Sequence, residues 1–99
     1  MNKLTVLYKH PHDADAFEKY YSETHLPLAA KIPNVDHAEF TKFLPGPDGS
    51  DAAFYRMAEL YFTSDAIMME ALSSGEGQAA AGDIPNFATG GFDLLIGKV

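Results

Sequence analysis

The chain has 99 residues, with 7 basic side chains against 14 acidic ones, 4 His, no Cys and no Trp, giving a formal net charge of −7. Without cysteine it has no disulfide framework, no thiol nucleophile and no thiolate-bound metal or iron–sulfur centre. Arg56 is the single arginine and the lysines are scattered; with no basic stripe to release counterions from phosphates, nucleic acid is not an expected partner.

In chain order, Leu4 to Lys9 mixes β-branched, aromatic and apolar residues, sets Leu4, Val6 and Tyr8 on one side, and stops at His10-Pro11. This reads as a first strand. Asp13 or Asp15 then caps a helix whose apolar positions Phe17, Tyr20, Tyr21, Thr24 and Leu28 follow helical spacing. Pro27 lacks a backbone donor and clashes with the preceding turn. The helix is therefore expected to break or kink there, leaving carbonyls near Glu23 and Thr24 unpaired and His25 at the break. Val35 to Leu44 and Phe54 to Phe62 read as a hairpin around the turn Pro45–Asp51. In its second strand Phe54, Ala58, Leu60 and Phe62 share one face, and Tyr55, Met57 and Tyr61 the other. Ser64-Asp65 caps a second helix with Ile67, Met68, Ala71 and Leu72 on one side. Gly75 ends it, Gln78 to Ala81 adds a short turn closed by Gly82, and Phe92 to Val99 is the last strand.

The order strand, helix, strand, strand, helix, strand is the split pattern of an α+β ferredoxin-like β-α-β-β-α-β sandwich, here a single domain over residues 1–99. Helices cover one face of such a sheet. Both faces of the third strand are apolar or aromatic and 46% of the chain is hydrophobic, whereas a monomer this short buries only roughly 60 to 65% of its unfolded surface. A second copy is expected on the open face. No apolar run approaches the roughly 18 residues of a membrane span, and the first residues alternate too much for a signal-peptide core. The expectation is a cytoplasmic protein without a membrane partner.

Several stretches carry a resemblance. Phe17-Glu18-Lys19-Tyr20-Tyr21-Ser22-Glu23-Thr24-His25-Leu26-Pro27-Leu28, Lys31-Ile32-Pro33, Ala58-Glu59-Leu60-Tyr61-Phe62 and Gly77 to Phe87, with its Asp83-Ile84-Pro85-Asn86-Phe87 end, together resemble the EthD family of dimeric α+β barrel proteins, essentially end to end. The resemblance implies a homodimer whose two four-stranded sheets form a barrel with the helices outside, and a small-molecule cavity in each subunit between sheet and helices. The family is named for a gene cluster that degrades ethyl tert-butyl ether with a cytochrome P450 system. The wider superfamily includes cofactor-free monooxygenases, isomerases, cyclases, dehydratases and haem-binding enzymes, so the fold alone licenses no single reaction.

His25 is the leading catalytic candidate, an imidazole beside tyrosines that moves a proton to or from a phenolic or enolic substrate. The matching His recurs in the family pattern. The structural alternative is a helix-terminal His that donates to carbonyls freed by Pro27. Tyr20, Tyr21, Phe17, Tyr61 and Phe87 are candidates to line a cavity for a hydrophobic or aromatic ligand, against the alternative that such stripes are core. Glu59, on the third strand, is either a buried base or the partner of Arg56 or Lys42 across the hairpin. Asp83 and Asn86 read as residues bonding local backbone in a turn. His10-Pro11-His12-Asp13 offers only adjacent ligands, too few elements for a metal site. His37 faces either the cavity or a dimer interface. No phosphate-binding loop, dinucleotide fingerprint or nucleophile elbow is present, and no cofactor is expected.

The sequence thus supports a small cofactor-independent enzyme doing proton-transfer or oxygenation chemistry on a hydrophobic, aromatic or polyketide-like metabolite, with His25 as its acid–base group. The alternative is a non-catalytic dimeric ligand-binding or auxiliary protein of an oxidative degradation pathway. A third reading is haem binding through His25 or His37.

Overall fold

Alternating apolar and polar residues make Asn2–Tyr8 a strand, β1, and the same pattern gives β2 (His37–Lys42), β3 (Arg56–Phe62) and β4 (Phe92–Lys98). A computed structural model describes all residues from Met1 to Val99. The strands form one antiparallel sheet in the order β2-β3-β1-β4, so the two strands next to the chain termini in sequence, β1 and β4, pair with each other, and β1 also pairs with β3. The register sets Val6 opposite both Ala58 and Leu94, and Leu4 opposite both Leu60 and Ile96.

Helices pack on the face that carries Leu4, Val6, Tyr8, Ala58, Leu60 and Phe62. Between β1 and β2 come α1 (Ala14–Tyr20), a π-helical turn (Tyr21–His25) and α2 (Leu26–Ala29). Asp13 caps α1, its carboxylate accepting from the Ala16 N–H. Between β3 and β4 come α3 (Asp65–Ser73) and α4 (Gly75–Phe87). Ser64 caps α3 and Ser74 caps α4. Between sheet and helices, Tyr8, Phe17 and Phe62 are almost wholly buried; a side chain of this kind contributes about 1.5–3 kcal/mol by leaving water. This is the ferredoxin-like α+β arrangement.

Two expectations change. Gln78 to Ala81 is not a separate turn: α4 is one helix running through Gly82 and on to Phe87, so Asp83 and Asn86 stand on a helix rather than in a turn. The sequence pattern broke at Gly75 because Ser74 ends one helix and starts the next. Gly77 lets α4 leave that corner against α3, since a Cβ there would lie 2.3 Å from the Ala71 carbonyl oxygen. Nor does Pro27 break the first helical segment. It occupies the first turn of α2, where a missing N–H costs least, and the turn before it widens so that the Leu26 N–H reaches the Tyr21 carbonyl.

The uncovered face is also less apolar than expected. Leu7 and Met57 lie at one end of it, with Leu95 in the row of Glu59. At the other, Lys3 Nζ binds the Glu59 carboxylate at 2.8 Å, the Tyr61 hydroxyl lies 3.3 Å from the same oxygen, and His37 stacks on Tyr61 with ring centroids 4.1 Å apart. Several exposed apolar side chains belong instead to the helix-facing side of the edge strands, namely Phe40, Leu94 and Ile96.

Candidate functional site

The widened turn decides which side chains meet. On a regular helix Tyr20 and His25 point about 140° apart, at about 100° per residue. The extra residue in the turn brings them round to the same side, and both bind the carboxylate of Asp83 on α4. The Tyr20 hydroxyl donates to Asp83 Oδ1 at 2.6 Å, Asn86 Nδ2 donates to the same oxygen at 3.0 Å, and His25 Nδ1 lies 3.0 Å from Oδ2. His25 and Asp83 are 6% and 7% exposed. His25 is held between rings, stacked on Tyr21 and 4.6 Å from the centroid of Phe87.

Burial alone would push the Asp83 carboxyl up, but the hydrogen bonds from Tyr20, Asn86 and His25 outweigh it and hold the group below the ordinary carboxylate value. Burial lowers the His25 pKa against the opposing pull of Asp83. At neutral pH the pair is therefore a carboxylate and a neutral imidazole. A carboxylate only accepts hydrogen bonds, so the His25 proton sits on Nδ1, and Nε2 carries the lone pair. Nε2 has no hydrogen-bond partner in the protein.

His25 forms part of the wall of a cavity of about 240 Å³ between helices and sheet, where all the other lining residues but Gly77 are hydrophobic. Leu4, Val6, Ala58 and Leu60 form its floor, with Ala29 and Ile84 among the residues above; Phe40, Leu94 and Ile96 stand at the strand edges. Tyr8 and Tyr21 also line it, and their buried hydroxyls have no hydrogen-bond partner. Desolvation pushes the Tyr21 phenol up to about 12 and that of Tyr8 higher still, so both stay protonated. An unpaired buried hydroxyl costs about 1–3 kcal/mol, and both oxygens lie out of reach of solvent.

The residues singled out in the sequence separate into three places. His25 and Tyr21 line the cavity. Tyr20, Phe17 and Phe87 lie behind it: Tyr20 fixes Asp83, Phe87 packs on His25, and Phe17 is core, edge-on to Tyr8 and Phe87. Tyr61 and Glu59 sit on the opposite face of the sheet. Glu59 pairs with Lys3, not with Arg56 or Lys42; those two bind Glu18 on α1. The reading of His25 as a donor to freed carbonyls fails too, since its Nδ1 is taken by Asp83. Asp83 was missed as a partner because a pairing across 58 residues leaves no local pattern. The strand pattern shows Tyr8 only as packing, and the one signal of its place at the cavity is a tyrosine closing an otherwise aliphatic strand face. His10 Nε2 lies 2.7 Å from the Ala52 carbonyl oxygen, and His37 pairs with Asp36 on the open face. No three of the His, Asp and Glu residues converge on a metal position. Of His25 and His37, only His25 borders the cavity.

Comparison with known proteins agrees with this architecture. The EthD domain family model matches residues 9–91. An uncharacterized 11.0 kDa protein from the thcB-thcC intergenic region of Rhodococcus erythropolis is 42% identical over 96 residues, spanning 97% of this chain and 92% of its own. The crystal structure of an ethyl tert-butyl ether degradation (EthD) family protein from Bacillus halodurans superposes with a TM-score of 0.93 at 35% identity, covering 100% of this chain and 98% of the other. A dimeric protein of ferredoxin-like fold and unknown function from Bacteroides fragilis shares the fold, with a TM-score of 0.68 at 16% identity over 99% of this chain and 95% of the other. No helix is long and apolar enough to cross a membrane.

Proposed function

The chain belongs to the EthD family, and on that premise we propose that the cavity binds a small hydrophobic or aromatic molecule from which His25 takes a proton. The observation that carries this reading is the Asp83–His25 pair, which fixes the imidazole proton on Nδ1 and presents a bare Nε2 to an apolar space. In the reaction the substrate's C–H or O–H bond breaks, its proton moves to Nε2, and its electron pair stays on the substrate as an enolate or phenolate. Asp83 stabilises the imidazolium formed, and the proton returns to the same or another substrate atom, which isomerises, cyclises or dehydrates it. Proton transfer of this kind needs no resident cofactor. The working unit is a homodimer, with the open sheet face against a second copy; the dimeric relative of the same fold supports this.

The apolar lining also supports a second reading, a dimeric binding protein that holds its ligand without turning it over. One experiment separates the two. Aromatic, quinone and polyketide metabolites are screened by protein-detected NMR, and each binder is analysed by mass after incubation in air with wild type and with His25→Ala. Conversion that drops by on the order of a hundredfold or more in the variant establishes the base; unchanged conversion in a folded dimer removes His25 from the chemistry. Binding without product assigns the protein to the second reading.

A further inference from the structure

The cavity at His25 shares part of its wall with a second apolar space. Ala29, Ile32, Phe40 and Leu60 border both, and the second is an entirely hydrophobic trough of about 390 Å³. That trough runs between α2 and β2, past Val35 and Ala38. Its width comes from small side chains. Ala29 and Ala30 end α2 on one side, and on the other Ala38 stands opposite Leu60 in the β2–β3 pairing, where a larger residue would close the passage.

The volumes bear on what the site takes. The inner lobe alone falls below the roughly 300–1,000 Å³ usual for small-molecule sites, and the two lobes together come within that range. The inner lobe holds the only titratable groups, His25 and the two tyrosines, while the trough offers nothing to a polar atom. A molecule filling both therefore has a polar, reactive end and an apolar one.

We propose that the trough is the tail subsite of this site: the ligand places its polar ring or carbonyl against His25 and runs a hydrocarbon tail past Phe40 into the space between α2 and β2. This rests on the reading of the inner lobe as the place of the reacting group, but it is tested by binding rather than by turnover.

The test titrates the full chain with 4-alkylphenols from methyl to heptyl, read by protein-detected NMR and calorimetry. Affinity is expected to climb by about fourfold per methylene once the tail outgrows the inner lobe, then level off when the trough is full. Ala38→Trp, with Ala30→Phe as a second variant on the facing helix, is expected to leave the methyl and ethyl members binding as in wild type and to abolish the climb. Absence of binding by any member overturns the proposal, as does a flat series in wild type or equal weakening of short and long members in both variants. Sedimentation that shows the variants splitting a dimer gives the trough to a second copy and also overturns it. A climbing series keeps the tail subsite even where the metabolite screen removes His25 from the chemistry; conversion in that screen with a flat series here keeps the base and removes the tail subsite.

Discussion

The two faces of the sheet each carry a buried carboxylate with a tyrosine and a basic side chain, and the one on the helix side borders an apolar cavity through His25. On the helix side Asp83 takes donors from Tyr20, Asn86 and His25, and the imidazole borders an apolar cavity. On the open side Glu59 takes Lys3 and Tyr61, and the nearby imidazole of His37 is half exposed and paired with Asp36. Lys3 has no lone pair to offer while charged, and its side chain is a third exposed. The two clusters are thus alike in residue types and differ in surroundings. What separates the clusters is whether the basic group is a neutral imidazole at an apolar cavity or a charged, partly exposed lysine.

The comparison is sharpest at the carboxylates. Asp83→Ala is expected to cost about 3 kcal/mol of stability, because it leaves His25 and Tyr20 buried without their acceptor, whereas Glu59→Gln is expected to cost about 1 kcal/mol, because the amide oxygen still accepts from Lys3 and Tyr61. Chemical denaturation of the two variants side by side checks this, and equal losses would break the distinction.

A smaller effect follows from pH. The His25 pKa is depressed below its ordinary 6.5 by burial, so the unfolded chain binds this proton before the folded one does. The contribution of His25 is thus fully present above about pH 6.5 and is lost as the pH falls through the lower folded value. Asp83, also depressed, acts in the same direction at more acid pH. His25→Gln is expected to flatten the stability profile just below pH 6.5, measured as melting midpoint against pH; an unaltered profile would contradict the buried neutral imidazole.

Smaller again, Tyr20→Phe removes one of the donors holding Asp83 ionised. Turnover is expected to fall only a few-fold, with the acid limb of its pH profile moved, and Asn86→Asp to disturb that limb further by placing a second carboxyl beside the first. Loss of turnover with an unmoved pH profile would make Tyr20 merely structural. The smallest effect belongs to the open face: Lys3→Met is expected to leave both turnover and the pH profile as in wild type.

The sequence made the strands and their order legible because each strand is a short alternating run between strong turn signals. His25 and Tyr21 were legible as site residues for a similar reason, lying on one local helical face. The partner of His25 was not. Asp83 lies in a helix that contains Gly77, Gly82 and Pro85, residues that read as turn, and its bonds reach back across the fold. Glu59 and Tyr61 were placed at the site because aromatic and acidic residues amid apolar neighbours look alike on either face of a strand until the helices are seen to cover one of them. The apolar surplus was read as belonging to the open face, yet part of it lies at the mouth of the cavity.

The turn at Tyr21–His25 can also be understood as a question of counting. It holds one residue more than an ordinary helix needs, and Ser22, Glu23 and Thr24, which fill it, are all exposed. A shortened chain lacking one of them would place the tyrosine and histidine four apart, still in phase on one helical face, but would carry Pro27 into a helix interior at a cost of about 3 kcal/mol. The extra residue and the proline are thus a coupled pair: deleting the one without replacing the other breaks the segment, while changing both together leaves the two side chains aimed at the same carboxylate.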